Sequence, residues 1–310
     1  MSASRRLSKV LSSANPLSFD NNSKFVLMSD CHRGDGNWGD NFSPNKNLYI
    51  AALTFYYERG YTYIELGDGD ELWENRKIDT IVSTHNNVFW LLSQFYKSGR
   101  FYMIYGNHDI VKKDPHYFRN KCNPFYCDTI NENIPLFPGI EIHEGILLKY
   151  KNTNYQILLT HGHQVDLFND TFWRISRFLI RYLWRPLELI GIRNPTSASK
   201  NNVKKSKVEK RLMEWSEKEN QMIITGHTHR PYFPKPGEGL YFNDGSCVYP
   251  QDITAIEISN GTISLVKWEI KVRLDRSLYV GRDVIEAPTP LIDYFEADII
   301  KPAETYQYKV

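Results

Sequence analysis

The chain has 310 residues, enough for one large domain or two small ones, and 41% of them are hydrophobic, 24% charged and 14% aromatic. This composition excludes a disordered, collagenous or coiled-coil chain, because disorder requires fewer apolar residues and a larger net charge. Lysine and arginine (38) nearly balance aspartate and glutamate (36), so the formal charge of +2 gives no general electrostatic argument for a nucleic-acid partner.

Residues 1–23 are predicted to be an N-terminal extension. Its basic residues are not followed by an apolar stretch, so it does not form a secretory signal. The chain contains four cysteines without a CxxC pair, and a chain of this length does not need disulfides to fold. No stretch approaches the roughly 18 apolar residues of a membrane-spanning helix. We therefore expect a cytoplasmic protein with reduced thiols, and the sequence predicts no oligomeric state.

Five short apolar segments each end at a polar cluster that contains glycine, histidine or aspartate. These predicted strands are residues 24–29, 61–66, 100–105, 155–160 and 221–225. Apolar runs of this length, bounded by turn residues, are typical of buried strands. Segments with helical periodicity at 46–59 and 80–97 alternate with them, which predicts an α/β layered domain. Ligand sites in such sheets lie beyond the carboxyl ends of the strands, where all five polar clusters occur.

A long insertion, residues 168–220, follows the fourth of these strands. Its first part predicts an apolar and aromatic helix at 172–189, ended or kinked by Pro186. The helical spacing stacks four arginines along one face: Arg174, Arg177, Arg181 and Arg185. Residues 194–202 are predicted to form a loop, and residues 203–219 a charged helix.

Two interpretations of this insertion stay open. It is either a surface helix pair that packs its apolar stripe on the sheet, or a lid beside the active site. As a lid, its apolar face would meet an amphiphilic substrate or, through residues 172–190, make a peripheral contact with a membrane surface.

The pattern changes after the last polar cluster. A β-hairpin is predicted at 254–270, with Asn260-Gly261 as its turn. A short strand at 241–243 is expected to join this hairpin. Residues 271–310, which contain several prolines, are predicted to form an irregular C-terminal extension.

Seven side chains in the polar clusters form a mixed set of oxygen and imidazole ligands. They are Asp30, His32, Asp68, Asn107, His161, His227 and His229. Such a set suits Mn, Fe or Zn rather than Ca or Mg, which prefer oxygen ligands. Because seven ligands are too many for one tetrahedral ion, we expect two divalent ions that share a bridging carboxylate.

The order Asp-x-His, Gly-Asp, Gly-Asn-His-Asp, His and Gly-His-x-His resembles the signature of the calcineurin-like metallophosphoesterase superfamily. The resemblance implies a four-layer αββα sandwich over residues 24–270, with two metal ions at one edge. It assigns Asp30, His32 and His229 to the first ion, Asn107, His161 and His227 to the second, and Asp68 to both. Two such ions lower the pKa of a shared water to about 7, and the resulting hydroxide attacks phosphorus. We therefore expect a phosphoester or pyrophosphate hydrolase, with manganese as the leading metal.

Further candidates lie beside these ligands. His108 cannot easily share in ligation with its neighbour Asn107, so it is free to contact phosphate and protonate the leaving oxygen, with Asp109 orienting its ring. Arg33 and Arg230 could bind phosphate oxygens or form outward salt bridges. His163 could be a ligand, a phosphate contact or a hydrogen-bonded loop residue.

Four more residues are predicted to lie near the ligands without binding metal or substrate. Cys31 should point away from its neighbours into the core. Glu71 is predicted to orient a ligand. Asp70 and Glu74 are predicted to be solvated.

Within the superfamily, the pattern is most similar to the UDP-2,3-diacylglucosamine hydrolases. The shared features are Ser29-Asp30-x-His32, Gly67-Asp68-x-x-Glu71-x-Trp73, the Gly-His-Thr-His-Arg-Pro sequence at 226–231, and the aromatic, basic insertion. Two departures are His108, where those enzymes have arginine, and His163, where they have aspartate. A phosphorylated small-molecule or lipid-like substrate is expected.

Three alternatives stay open. A protein Ser/Thr phosphatase would need an open groove, which the insertion would cover. A phosphodiesterase or nuclease finds support only in the basic insertion. A non-catalytic scaffold would be expected to have lost ligands, and none is missing.

Overall fold

Two β-sheets packed face to face form the centre of the protein, and helices cover their outer faces. The computed structural model describes residues 3–116, 121, 124–184 and 202–297. None of the helices in these ranges is long and apolar enough to cross a membrane.

The strands are short at the centre of the molecule and long towards the C-terminus. They are β1 (Asn15–Phe19), β2 (Lys24–Met28), β3 (Thr62–Leu66), β4 (Phe101–Ile104), β5 (Phe125–Cys127), β6 (Glu132–Ile134), β7 (Ile142–His143), β8 (Gly145–Tyr150), β9 (Gln156–Thr160), β10 (Met222–Thr225), β11 (Tyr241–Asn243), β12 (Asp252–Ser259), β13 (Thr262–Val272) and β14 (Leu278–Pro290). One sheet has the order β14-β13-β12-β2-β3-β4-β7, the second has the order β1-β8-β9-β10-β11, and β5 pairs with β6. Strands β2, β3, β4 and β7 are mutually parallel, as are β9, β10 and β11.

The helices flank both sheets. They are α1 (Ala3–Ser13), α2 (Lys46–Glu58), α3 (Ile78–Thr84), α4 (Asn86–Lys97), α5 (Leu167–Asp170), α6 (Trp173–Leu179), α7 (Asn202–Glu219) and α8 (Leu291–Glu296). A π-helical turn, Ile180–Trp184, continues α6. Helices α2, α3 and α4 cover the seven-stranded sheet, whereas α1 and α7 cover the five-stranded sheet.

The side chains of β2 point alternately to the two faces of the seven-stranded sheet, and each face packs against a different layer. In β2, Val26 and Met28 belong to the hydrophobic cluster under α2 and α4, while Phe25 and Leu27 belong to the cluster between the two sheets. Successive side chains of a strand point to opposite faces, so an unbroken apolar run buries both faces of the sheet. The expected four-layer α/β architecture is confirmed, and so is the Asn260-Gly261 hairpin, since both turn residues have positive φ.

Three expectations about the elements need correction. The strand at 241–243 pairs in parallel with β10 and therefore belongs to the five-stranded sheet, not to the hairpin. The C-terminal extension predicted at 271–310 is not irregular in its described part, residues 271–297, because β14 forms the edge of the seven-stranded sheet there. The prediction was wrong because Pro288 and Pro290 lie in β14, and an edge strand tolerates residues that lack an N–H group. The predicted helix at 80–97 is divided at His85, whose ring nitrogen Nε2 contacts Asp40 Oδ2 at 2.9 Å.

The N-terminal residues also differ from the expected extension. Helix α1 contributes Leu7 and Val10 to the cluster beneath the five-stranded sheet. Strand β1 forms the edge of that sheet by pairing in parallel with β8.

Candidate active site

The predicted ligands meet where strands of both sheets end. Asp30 and His32 follow β2, Asp68 follows β3, Asn107 follows β4, His161 follows β9, and His227 and His229 follow β10. The carboxyl ends of parallel strands lie at the same edge of a sheet, and the two sheets face each other there. All seven side chains are buried.

One group of ligands surrounds the end of β2. His229 Nε2 lies 3.0 Å from Asp30 Oδ1 and 3.3 Å from His32 Nε2. These three side chains can each direct one ligand atom into a common space. His32 donates its other ring proton, on Nδ1, to Glu71 Oε2 at 2.9 Å, which leaves Nε2 free for a metal ion.

A second group surrounds the end of β3. Asp68, His161 and His227 also direct one ligand atom each into a common space. His161 Nε2 lies 3.1 Å from Asp68 Oδ2, while its Nδ1 donates to the carbonyl of Leu66 at 2.9 Å. Asp68 Oδ2 lies 3.8 Å from His32 Nε2 of the first group, so this carboxylate stands between the two groups.

The ligand atoms of these side chains fit divalent cations. Asn107 Oδ1 is buried and makes no hydrogen bond with any described residue, and Asp30 Oδ1 and His161 Nε2 are buried with only other predicted ligands, His229 and Asp68, at 3.0 and 3.1 Å. Burial alone would lower the pKa of His161, but the carboxylates of Asp68 and Asp30 outweigh it and raise that pKa to about 9. Since a ring nitrogen must lose its proton to bind metal, a cation here would replace the proton on Nε2.

The backbone at these ligands is strained. Positive φ angles occur at Asp30 (50°), His32 (48°), Asp68 (50°), His227 (69°) and His229 (56°). Such angles are uncommon outside glycine and persist only where the surrounding structure enforces them. The strain aims successive side chains into one space rather than to opposite faces of an extended chain.

Two positions beside the predicted ligands are glycine because neighbouring atoms leave no room for a Cβ atom. A Cβ atom on Gly106 would lie 2.1 Å from Asp68 Oδ1, and one on Gly226 would lie 2.0 Å from the hydroxyl of Ser29. Both distances are far below van der Waals contact, so only glycine lets these loops approach the ligands.

Glu71 joins the first ligand group to His108. Its carboxylate accepts the Nδ1 proton of His108 at 2.7–2.8 Å as well as that of His32. Burial would raise the pKa of Glu71, but the rings of His108 and His32 outweigh it and lower the pKa to about 2. Trp73 stacks on the His108 ring, and the prediction that Glu71 orients neighbouring side chains agrees with these contacts.

Asp109 does not orient His108, contrary to the prediction. Its carboxylate accepts the backbone N–H groups of Gly106 at 2.7 Å and Gly69 at 3.2 Å, and Lys112 Nζ at 2.8 Å. Because adjacent side chains diverge, Asp109 is turned into the protein while His108 faces the site. Asp109 therefore fixes the two loops that carry Asp68 and His108.

Arg33 lies away from the site as well. Its side chain is fully buried and bonds to Glu65 at 2.8 and 3.0 Å and to Asp70 at 2.7 Å. Asp70, predicted to be solvated, is fully buried and also pairs with Lys112 at 2.6 Å. The prediction that Arg33 contacts phosphate is wrong, because these inward ion pairs hold its guanidinium. Cys31 is buried in the core beneath α2, as expected.

One supporting residue, Asp244, was not found from the sequence, and Ser29 was named only as part of a motif. Ser29 Oγ lies 2.5 Å from Asp30 Oδ2 and 2.7 Å from Asp244 Oδ1. Burial, followed by the charge of Asp30, raises the pKa of Asp244 well above its usual value. The Ser29 hydroxyl therefore lies between the two carboxyl groups and can donate to either Asp30 or Asp244. The predicted ligands were found because sites in such sheets lie beyond the carboxyl ends of the strands, which we call the strand-end rule. Asp244 directly follows β11, so the same rule would have located it too.

The remaining candidates lie at the margin of the ligand groups. His163 is buried, and neither ring nitrogen has a hydrogen-bond partner among the described residues. It lies beside Glu144 and Asp170, whose carboxylates are both paired with Arg6. Arg230 is partly exposed, with an ion pair of 3.8 Å to Glu209.

The insertion is only partly as expected. Helix α7 packs on the five-stranded sheet through residues such as Leu212 and Trp215. Helix α6 instead has no buried residue and is attached to the loop after Asp68. Arg181 makes this attachment by donating to the carbonyls of Leu72, Trp73 and Asn75 at 2.6, 2.9 and 3.1 Å. The predictions for Arg185, Pro186 and the loop at 194–202 fall mainly on residues 185–201, outside the described residues.

The chain is similar to one protein family and to several solved structures. Residues 23–231 match the family model described as calcineurin-like phosphoesterase. Among solved structures, Vps29 of Chaetomium thermophilum is 9% identical, with a TM-score of 0.38 and coverage of 86% of this chain and 98% of that chain. A Staphylococcus aureus protein described as a 5′-nucleotidase is 14% identical, with a TM-score of 0.36 and coverage of 86% of this chain and 54% of that chain. No curated protein gives a significant match.

The chain therefore belongs to the calcineurin-like phosphoesterases. It is a hydrolase that acts on phosphoric esters, and its family implies divalent metal ions, for which the clustered side chains supply ligands.

Proposed function

We propose that the protein is a dinuclear-metal-dependent hydrolase that cleaves a phosphoester or pyrophosphate bond in a small or amphiphilic substrate, in the manner of the UDP-diacylglucosamine hydrolases. The observation that carries the proposal is the meeting of two buried ligand groups around Asp68, beside which Asn107 Oδ1 is buried without a hydrogen bond to any described residue.

Each ligand group would hold one ion. Asp30, His32 and His229 would bind the first ion, Asn107, His161 and His227 would bind the second, and Asp68 would contact both. The mixture of imidazole nitrogen and oxygen suits manganese, with iron and zinc as the alternatives. When bound, such ions lower the pKa of a coordinated water and neutralise charge on the phosphoryl oxygens.

His108 is the candidate general acid. Its Nδ1 is held by Glu71 and one face of its ring by Trp73, so Nε2 is the atom that can pass a proton to the leaving oxygen. Its backbone N–H also donates to Asp68 Oδ1 at 2.7 Å, which fixes the ring near the bridging carboxylate. Glu71 is thus a positioning residue that acts through His108 and His32.

The surroundings support a substrate with a polar and an apolar part. A cavity of about 300 Å³ adjoins the loop that carries Glu71 and is lined by Asp35, Glu74, Asn75, Arg76, Lys77, Thr80 and Arg181. Its mixed charges suit a polar leaving group. Apolar side chains of α6, which precedes Arg181 in the chain, are exposed and would give an acyl chain an apolar surface.

Two further assignments belong to the proposal. Arg230 follows His229 and its side chain is partly exposed beside Glu209, so we assign it the contact with a substrate phosphate. Cys31, Cys127 and Cys247 are free thiols, which supports a reducing, cytoplasmic location.

Metal analysis tests the first part of the proposal. The purified chain supplied with manganese should hold close to two ions, and Asp68→Ala should lower this number because both groups share that carboxylate. A content that Asp68→Ala leaves unchanged would contradict the bridging role.

A substrate panel tests the second part. p-Nitrophenyl phosphate, bis-p-nitrophenyl phosphate and nucleotide diphosphate sugars distinguish monoester, diester and pyrophosphate chemistry. Deletion of residues 172–202 should spare the small chromogenic esters and abolish hydrolysis of lipid-bearing substrates. A metal-loaded protein that hydrolyses nothing in the panel would favour the scaffold alternative.

A further inference from the structure

The last two strands of the seven-stranded sheet extend beyond their neighbours as a two-stranded arm. Strand β12 begins at Asp252, which pairs with Glu269, so in the described part of the chain the later residues of β13 pair only with β14. We define the arm as residues 270–280. Since β12 is antiparallel to β2, with Ile256 opposite Leu27, the arm leaves the sheet at the edge where β2 ends and the first ligand group lies.

One face of the arm is apolar and exposed. Val266 and Trp268 of β13 belong to the cluster under α2, and alternation places the next even-numbered residues on the same face of the sheet. Their cross-strand partners in β14 share that face. Leu274 adds a fully exposed side chain at the tip. We define the apolar arm face as Ile270, Val272, Leu278 and Val280, all of which are exposed.

The opposite face carries ion pairs. Lys271 Nζ lies 2.6 Å from Asp283 and 3.7 Å from Glu269, and Glu269 also pairs with Lys267 at 2.6 Å. These contacts join the two strands on the side that faces water. A two-stranded hairpin whose apolar face is uncovered is only marginally stable in water. The apolar arm face is therefore the side on which the arm lacks a packing partner among the described residues.

We propose that the apolar arm face packs against the same face of a second copy of the chain, related to the first by a twofold axis. A twofold contact sets the same patch of both copies together, so a uniformly apolar patch is complementary to itself. Arg282, the next residue on this face of β14, donates to both carboxylate oxygens of Glu257 at 2.8 and 2.6 Å. The contact therefore does not bring unpaired like charges together.

The exposed area is sufficient for a reversible dimer. Together with Leu274, the apolar arm face exposes roughly 500 Å² per copy, so a twofold contact would bury about 1,000 Å², the lower limit for a specific interface.

Residues 298–310 of the same chain fit less well as the occupant. They follow α8 at the opposite end of β14, roughly 43 Å from the tip of the arm at 3.3 Å per residue. A segment of their length spans at most about 47 Å, so it would have to be almost fully extended to cover the arm.

The experiment measures the mass of the full-length protein by sedimentation velocity and light scattering, from low to high micromolar concentration. We expect the mass to rise from 36.3 kDa towards twice that value. The double variant Ile270→Lys with Leu278→Lys should raise the dissociation constant of the dimer at least about 100-fold, because the twofold contact sets its like charges against each other.

The matched control adds two lysines to the other exposed hairpin, formed by β5 and β6. Tyr126→Lys with Ile130→Lys replaces exposed apolar side chains there and should self-associate like the unsubstituted protein. A charge-reversed variant, Ile270→Glu with Leu278→Glu, should be monomeric alone and should recover the doubled mass when mixed with the lysine variant. This recovery would show that both variants keep the folded arm.

Five outcomes would overturn the inference. A mass of 36.3 kDa at every concentration would do so, as would equal dissociation of the control variant. No recovery of the doubled mass on mixing would contradict a contact of the arm with itself. A dimer that forms only after removal of residues 298–310 would identify that segment as the occupant, and growth beyond two copies would indicate pairing at the free edge of β14 instead. The measurement uses no substrate, so its result does not depend on the proposed function.

Discussion

The indole of Trp73 lies nearly parallel to the imidazole of His108, with ring centres 4.4 Å apart and planes at 23°. Glu71, two residues earlier, holds Nδ1 of the same imidazole. The short loop after Asp68 therefore sets both the position and the rotation of His108. The His108 side chain is 20% exposed, whereas that of His161 is fully buried, so His108 is the more accessible ring, as the proposed general acid must be.

Replacing His108 separates acid catalysis from metal binding. His108→Ala should lower kcat for p-nitrophenyl phosphate by about 100-fold or more, because general acid catalysis contributes that much. The metal content should stay unchanged, since the ligand groups do not need this ring. Parallel losses of turnover and metal would contradict the assignment, and His116→Ala, on the exposed surface, is the control.

Replacing Glu71 tests whether a carboxylate must hold His108. Glu71→Gln keeps the shape of the side chain but cannot accept ring protons from His108 and His32 at both oxygens, so kcat should fall about 10- to 100-fold with KM little changed. Steady-state kinetics and metal analysis of Glu71→Gln and of the exposed control Glu58→Gln check this. Wild-type kinetics in Glu71→Gln would refute a positioning role.

Replacing Arg33 is expected to affect mainly stability, whereas replacing Arg230 is expected to affect mainly substrate binding. Arg33→Met leaves Glu65 and Asp70 as buried charges with one cation fewer, so the free energy of unfolding should fall by about 3–5 kcal/mol while KM of the folded enzyme is retained. Arg230→Met should raise KM and, because it removes only a partly exposed ion pair, should lower the free energy of unfolding by less than Arg33→Met does. Urea unfolding and steady-state kinetics on both variants give the comparison, and a raised KM with normal stability in Arg33→Met would restore the phosphate role.

The buried carboxylate of Asp40 is expected to make the free energy of unfolding fall at acidic pH. Burial would raise its pKa, but hydrogen bonds from His85 and from the backbone N–H groups of Gly36 and Ser43 outweigh it and hold the pKa at about 2, below the ordinary 3.8. A lowered carboxyl pKa stabilises the fold above pH 3.8, and this stabilisation is lost as the pH falls towards 2.

Asp40→Asn should therefore destabilise the protein at pH 7 by about 1–3 kcal/mol, the cost of a weakened buried hydrogen-bond set. The difference between variant and wild type should shrink at pH 3. Urea unfolding at both pH values measures it, and a constant difference would show that Asp40 does not titrate in this range.

The strand-end rule explains why the ligand set could be predicted. Each ligand directly follows a short apolar run, and parallel strands bring such ends together whatever lies between them. Asp244 obeys the same rule but lacks a neighbouring motif, so it was not selected. Arg33 and Asp109 were misassigned because the sequence places them beside ligands, whereas the side-chain direction depends on the positive φ angles of Asp30, His32 and Asp68.

The insertion shows where periodicity alone fails. The spacing of Phe172, Ile175 and Leu179 defines one helical face but not what that face touches. Tertiary hydrogen bonds of Arg181 decide the direction, and a local pattern contains no information about partners more than 100 residues away. Helix α7, by contrast, packs its apolar side on the five-stranded sheet, as is usual for an amphipathic helix.

The first strand of the five-stranded sheet has a practical consequence for recombinant production. The family match begins at residue 23, yet Ser8 accepts a hydrogen bond from the indole of Trp215, and β1 covers the outer edge of β8. A fragment trimmed to that boundary would uncover Leu147 and Trp215 and leave β8 open to pairing with other molecules. Preparations that begin at residue 24 should therefore aggregate, whereas those that keep the first helix should yield monodisperse material.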